Sequence, residues 1–246
     1  MSFESYTDCV FRAFQSHPKP AEIVKRKQDI IAGVAAYHNF VADSVLYIGF
    51  NPAILAETAN MIAVTYISTA AQDFLHDQGI KFKYIDPATL GQYTKQFESV
   101  VALDEYFTFA KSDQEQRDRV VEVCNLATEY VITTCKDYKN QEFKDREFSI
   151  PALVRNSSEH NIYLEFHDYD LTDRNSWRTK VYEIAEDELN VVGPFARRAM
   201  FFKQLAKFSS DAGAAGFSVH KNLMYKSLIK KNYEHVISIQ FDNNGP

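Results

Sequence analysis

Residues 44–54, SVLYIGFNPAI, constrain this chain more than any other stretch. An apolar run, 45–48, stops at Gly49 and is followed by Phe50, Asn51 and Pro52. Consecutive apolar residues leading into glycine are the pattern of a strand buried on both faces, as in a parallel sheet. The turn after such a strand is where open α/β sheets place their ligands. Gly49 has no Cβ, so another group can approach its backbone closely. The turn holds one glycine where a dinucleotide fingerprint needs three at fixed spacing.

Periodicity extends this reading along the chain. Strand patterns recur at 45–49, 62–67, 82–86, 99–103 and 129–134. Helix patterns sit between them at about 53–60, at 69–78 stopped by Gly79, and at 113–127. Ser112 with Glu115 three residues on is a helix-start signal for the last of these. Alternating strands and helices predict a mostly parallel sheet with crossover helices. The segment 87–97 reads as a loop or a short helix. Ahead of the sheet, a helix at about 5–15 is separated by His17-Pro18-Lys19-Pro20 from a second helix in 21–40. The second carries Ile23, Val24, Lys27, Ile30, Ile31, Val34 and Tyr37 on one mostly apolar stripe. After Thr134 the pattern changes. Residues 136–160 are polar and read as a loop, and 161–169 with 179–184 read as an antiparallel hairpin. Pro194 is expected to open a helix that Gly213 ends, and 217–225 with 233–241 are expected to close the chain as an antiparallel pair.

Composition limits the class. With 46% hydrophobic and 14% aromatic residues the chain can build a sizeable core, and 8 Gly with 7 Pro leave little for flexible linkers. No apolar run is long enough to span a bilayer, and MSFESYTDCVF lacks the basic and apolar regions of a secretory signal. Cys9, Cys124 and Cys135 are odd in number and far apart, which reads as free thiols in a reducing compartment. The expectation is a soluble cytoplasmic protein with no membrane contact. Its formal charge is −6, unevenly spread: region 193–235 has eight basic and two acidic residues, a surplus of six that leaves −12 elsewhere. Such a region meets phosphate, nucleic acid or an acidic protein face, or else is a solvated helix and a lysine-blunted edge hairpin.

The order of five strands with intervening helices, a further helix and a terminal antiparallel pair resembles the class I S-adenosylmethionine-dependent methyltransferases. The resemblance spans roughly 21–241 and rests on order and spacing. It implies one Rossmann-like α/β domain over 1–246: N-terminal helices in 1–43, a parallel core in 44–135, a loop and β-hairpin insertion in 136–192, and a helix with terminal antiparallel strands in 193–246. The sheet would have seven strands, the C-terminal one antiparallel, with helices on both faces. In that family the first strand ends in a glycine-rich turn under the methionine part of the cofactor. The resemblance carries that role to Gly49, Phe50 and Asn51. The second strand of the family ends in an acid that binds the ribose. This chain has Thr65-Tyr66-Ile67-Ser68 there, so Ser68 offers a neutral hydroxyl in place of a charge-assisted pair of hydrogen bonds. Asp86 falls where the third strand would meet the adenine edge. Asp104, Glu105 and Tyr106 follow the fourth strand, where the family often places groups that touch the substrate, and Asp104 and Tyr106 are the catalytic candidates.

Each candidate has an ordinary alternative. Asp104 and Glu105 can cap the next segment, Asp86-Pro87 can start a turn, and Asn51 can close an Asx-turn. Lys136, Asp137 and Lys139 line either a substrate mouth or a solvated loop. His167, Asp168, Asp170 and Asp173 invite a metal reading. Strand alternation sends His167 and Asp168 to opposite faces, however, and no second histidine sits at ligand spacing, so no metal is expected. His220 and His235 read as structural. No serine-hydrolase order, nucleophile elbow or phosphate loop is present. Gly49-Phe50-Asn51-Pro52 is also similar to the G-x-N-P turn of some uracil-DNA glycosylases, without that family's later loop. The functional expectation is a methyltransferase-like protein using S-adenosylmethionine on an unknown acceptor. The alternative is a catalytically inactive subunit or scaffold of the same fold, with a protein partner or a second copy.

Overall fold

The computed structural model describes residues 2–136, 146–149, 154–155, 160–170, 172–173, 175–185, 188–226 and 233–242. Asp137 and Lys139, and Lys230 and Lys231 of the basic region, lie outside them. Two helices come first, α1 (Phe3–Gln15) and α2 (Pro20–His38). The parallel core follows with β1 (Ser44–Ile48), β2 (Met61–Thr65), α3 (Thr69–Asp77), β3 (Lys83–Tyr84), β4 (Phe97–Ala102), α4 (Asp113–Leu126) and β5 (Ala127–Cys135). An inserted sheet contributes β6 (Arg146–Ser149), β7 (Val154–Arg155), β8 (His160–Tyr169), β9 (Ser176–Ala185) and β10 (Glu188–Arg198). The chain ends with α5 (Phe202–Asp211), β11 (Gly216–Lys226) and β12 (Tyr233–Gln240).

The seven-stranded sheet has the order β11-β12-β5-β4-β1-β2-β3. The pairs β1–β2, β1–β4, β2–β3 and β4–β5 are parallel, and β12 runs antiparallel to both β5 and β11. The early apolar runs thus lie side by side and point the same way, as their lack of alternation predicts. Both faces are buried. Leu46 and Ile48 of β1 join a core with Val100, Val131, Val120 and Leu205, under α4 and α5. Val45 and Tyr47 face the other way, with Ile30, Val34, Ala71 and Leu75 of α2 and α3.

Four local expectations change. The helix expected at 53–60 is one 3-10 turn, Pro52–Ala56, and α2 lies along it, with Gln28 Nε2 donating to Ala56 O at 2.7 Å. The Asn51 side chain accepts from Ala53 N and tightens that turn, leaving too few residues for an α-helix. The hairpin expected in 136–192 is part of a five-stranded sheet ordered β10-β9-β8-β6, with β7 also on β8. The helix expected from Pro194 begins only at Phe202, because β10 continues to Arg198. Phe195 and Arg197 are buried there while Ala196 and Arg198 are half-buried, a period of two that pairing with β9 enforces. Tyr37 stays out of the α2 stripe and is 67% exposed.

Helix α1 is the element that most affects the site. Phe3, Tyr6, Cys9 and Val10 join the core under α4, and Phe11 and Phe14 join the core under α2. The helix therefore lies across the end of the sheet and contributes to both faces.

Candidate functional site

The loops leaving β1, β2 and β4 converge at one edge of the sheet. Gly49 follows β1 with φ +82°, a left-handed conformation that glycine adopts without strain. Its amide donates to Thr65 O of β2 at 2.9 Å. Tyr66 follows β2 with φ +57°, and Asp104 and Glu105 follow β4 with φ +57° and +52°. Three non-glycine residues in this region, two of them consecutive, concentrate backbone strain where the loops meet.

The space above Gly49 is filled from within. A Cβ placed on Gly49 would stand 2.7 Å from Thr7 Cγ2 and 3.2 Å from Phe3 Cε1. Thr7 Oγ1 donates to Tyr66 O, and Ser68 Oγ donates to Asp8 Oδ1 at 2.6 Å. The Phe3 ring lies 4.7 Å from Tyr106, 4.7 Å from Phe109 and 5.7 Å from Tyr66, centre to centre. Tyr6 packs 4.8 Å from Phe109 and 5.7 Å from Phe195. A groove of about 420 Å³, lined by Tyr66, Tyr106, Glu115, Asp118, Arg119 and Glu122, stays open beside this cluster.

The remaining cofactor candidates hold structural positions. Phe50 points into the α2 core, 5.1 Å from Phe11 and 5.4 Å from Phe14. Asn51 is buried and caps its own turn. Ser68 caps α3, accepting from Ala71 N at 3.3 Å. Asp86 is exposed and caps the 3-10 turn Pro87–Tyr93, accepting from Ala88 N at 2.9 Å. Tyr106 is fully buried in the ring cluster, and burial above all holds its hydroxyl protonated well beyond the ordinary range. As placed, it is a wall of the crevice and not a proton donor or acceptor for a solvent-borne molecule. With α1 seated, the residues above Gly49 leave no cradle for S-adenosylmethionine: the side that glycine opens is closed by Thr7 and Phe3.

Beyond the rings lies a buried polar centre that joins the two sheets. Arg197 of β10 donates from Nε to Thr108 Oγ1 at 2.7 Å and from Nη2 to Glu105 Oε2 at 3.3 Å. Its Nη1 is 3.8 Å from Glu165 Oε1 of β8, and its guanidinium lies 3.7 Å over the Phe109 ring. Arg197, Glu105 and Glu165 are at most 3% exposed. Asp104, 7% exposed, borders the same centre. The Tyr6 hydroxyl has no hydrogen-bond partner among the described residues. Its ionisation is pushed far up, first by burial, then by Glu165 and Asp104, with Arg197 opposing. Above it, a polar recess of about 490 Å³ lies between Ala110 and Lys111 of the β4 exit and Trp177, Arg178 and Asp168 of the inserted sheet.

The other candidates are accounted for locally. His167 Nδ1 meets Thr179 Oγ1 at 3.0 Å, Asp170 caps the turn at Thr172, and Asp173 pairs with Arg198. His220 Nε2 meets Ser238 Oγ at 2.8 Å. Within the basic region Arg197 is internal, Arg198 pairs with Asp113 and Asp173, and Lys207 pairs with Asp211 at 2.8 Å. Cys9 and Cys124 are buried thiols pushed up to about 12, chiefly by desolvation. Such protonated thiols are poor nucleophiles.

Sequence reasoning missed Phe3, Tyr6, Thr7 and Asp8, because a helical pattern does not say what the helix covers. It missed Arg197 because that residue sat in an expected helix. The one available signal was the aromatic run in α1, Phe3, Tyr6, Phe11 and Phe14, which is more ring surface than a peripheral helix needs.

No protein-family model matches the chain, and no curated protein matches it by sequence. Solved structures do match its shape. An S-adenosylmethionine-dependent methyltransferase from Clostridium acetobutylicum superposes with a TM-score of 0.65 at 13% identity, over 88% of this chain and 91% of that one. DesVI from Streptomyces venezuelae gives 0.63 at 11% identity over 88% and 91%. The sugar N-methyltransferase KedS8 from a Streptoalloteichus species gives 0.62 at 10% identity over 91% and 90%. The strand order, the antiparallel β12 and these superpositions along most of the chain together establish that this protein has the Rossmann-like fold of class I S-adenosylmethionine-dependent methyltransferases.

Proposed function

We propose that this protein transfers a methyl group from S-adenosylmethionine to a small molecule, with the first turns of α1 moved off the sheet. The observation that carries this is the meeting of the Gly49, Tyr66 and Asp104–Glu105 loops at one carboxyl edge, under an inserted sheet. The inserted sheet restricts the approach to the polar recess beside Lys111 and Trp177, which suits a compact polar acceptor better than a polymer. The sugar N-methyltransferase among the structural neighbours agrees in acceptor size. Asp104 would orient the acceptor or take its proton from the β4 edge. Three free cysteines, all buried, fit a reducing cytoplasmic setting.

A second reading is favoured by the filled space over Gly49: a methyltransferase fold in which α1 has replaced the cofactor for good. Magnitudes separate the two. Exposing Phe3 and Tyr6 costs roughly 3–6 kcal/mol at about 1.5–3 kcal/mol for each large apolar side chain. A ligand of micromolar intrinsic affinity supplies about 8 kcal/mol at the standard state. Displacement of two side chains is therefore within reach of a ligand, whereas lifting the whole helix, with Phe11, Phe14 and Val10, is not. Equilibrium dialysis of the full chain with labelled S-adenosylmethionine tests the first reading. Saturable binding is expected, and its absence at millimolar ligand gives the second.

A further inference from the structure

We infer that the first two turns of α1 are an internal occupant of a cryptic adenosyl-ligand site: Phe3, Tyr6 and Thr7 stand where the ligand's amino-acid end would lie over Gly49, so tip and ligand exclude one another. This rests on the methyltransferase reading above.

Three observations support it. First, α1 divides into a tip and an anchor. The anchor is Phe11 and Phe14 packed edge-on or tilted against Phe50 and Phe74, with Arg12 Nε bound to Glu183 at 3.0 Å. The tip reaches the crevice through Phe3, Tyr6 and Thr7, and two hydrogen bonds tie it to the β2 exit, from Thr7 to Tyr66 O and from Ser68 Oγ to Asp8 Oδ1. The tip can unwind while the anchor holds.

Second, the tip is an imperfect filler. The Tyr6 hydroxyl is buried with no hydrogen-bond partner among the described residues, 0% exposed, in a region that also holds Glu165 and Asp104. A buried hydroxyl without a partner works against the seated state, and phenylalanine would fill the same space without that penalty. The closed state is thus held by ring packing and opposed by the hydroxyl.

Third, Phe3 separates Gly49 from a groove that is already open. Its ring touches Gly49 on one side and Tyr66 and Tyr106, which line the 420 Å³ groove, on the other. Withdrawing Phe3 extends that groove to the glycine turn instead of leaving a sealed void. The ligand class that fits is elongated, with a zwitterionic end over the glycine backbone and a flat end in the groove beside Tyr66 and Tyr106.

Because binding requires the open tip, apparent affinity scales with the fraction of molecules in which it is open. Two substitutions in the full chain move that fraction in opposite directions. Phe3→Ala is expected to bind S-adenosylhomocysteine about tenfold more tightly than the unaltered protein by calorimetry. Tyr6→Phe is expected to bind it roughly fivefold more weakly. In the unaltered protein, saturating S-adenosylhomocysteine is expected to speed hydrogen exchange at the amides of residues 6–10, whose helical acceptors lie in the tip. Binding of equal strength in all three proteins, with those amides as protected as before, overturns the inference and with it the moved tip, and leaves methyl transfer from a ligand bound beside a seated α1. No binding by any of the three overturns both. Tyr6→Phe keeps the core intact, so the comparison survives should Phe3→Ala fail to fold.

Discussion

At the ends of β1 and β2 the space over the sheet is filled with rings, and at the end of β4 it is filled with charge. The first region is Phe3, Tyr6, Tyr66, Tyr106 and Phe109, held chiefly by ring packing, with Thr7 on Tyr66 O and the Arg119 and Arg197 guanidiniums over Tyr106 and Phe109. The second is Arg197 between Glu105 and Glu165, with Thr108 accepting from its Nε. Both are largely buried, yet they resist change differently. Rings can be withdrawn at a cost set by the area exposed. Withdrawing one member of a buried ion cluster leaves an uncompensated charge behind. The inserted sheet is therefore locked to the core at Arg197, while the tip of α1 is separable. One edge of one sheet combines a fixed roof with a movable plug.

The largest effect belongs to the charged region. Arg197→Ala, which strands two buried carboxylates, is expected to lower unfolding free energy by about 3–5 kcal/mol in urea titrations. A loss under about 1 kcal/mol would mean that the roof is held by other contacts and would dissolve the contrast. The glycine turn comes next. Gly49→Ala combines a left-handed φ with a Cβ 2.7 Å from Thr7 Cγ2, and about 1–3 kcal/mol of destabilisation is expected, with faster exchange in the α1 tip. Unchanged exchange there would show that the strain is absorbed elsewhere. The smallest effect is at Tyr6. Removing its hydroxyl by Tyr6→Phe is expected to stabilise the protein by about 1 kcal/mol at neutral pH. The same change sharpens the contrast at high pH. The folded protein holds the Tyr6 proton above the ordinary tyrosine range, by burial first and by Glu165 and Asp104 next. The proton-bound form is therefore the one that folding favours. Stability from this group is full below about pH 10, where the unfolded chain still holds the proton, and declines as pH rises beyond that value. Urea midpoints between neutral pH and pH 11 are expected to fall less steeply in Tyr6→Phe, and equal slopes would remove Tyr6 from the alkaline response.

Much of the sheet was legible because its signal is local. Apolar runs at 45–48 and 62–67 need burial on both faces, and only a parallel sheet between helix layers provides it. Ser112 as a cap of α4 and Gly79 after α3 were equally readable, since each acts through neighbours in sequence. The site was legible only as an address. Gly49, Ser68, Asp86 and Asp104 were rightly placed at strand exits, but Ser68 and Asp86 turn out to cap helical turns and Phe50 turns inward. The stretch after Pro194 was misread because a helix and a strand can share the same apolar residues when the partner strand is unknown. Pairing with β9 settled it.

The amino-acid order by itself determined the parallel core, the antiparallel closing pair and the positions of the loops that leave the strands. Those follow from burial periods and turn residues a few positions apart. What lies on top of those loops was decided only in three dimensions. Phe3 and Thr7 meet Gly49 across more than forty residues, and Arg197 meets Glu105 across ninety-two. Contacts of that separation leave no periodic trace in a single chain, because they depend on how whole elements pack and not on which residue follows which.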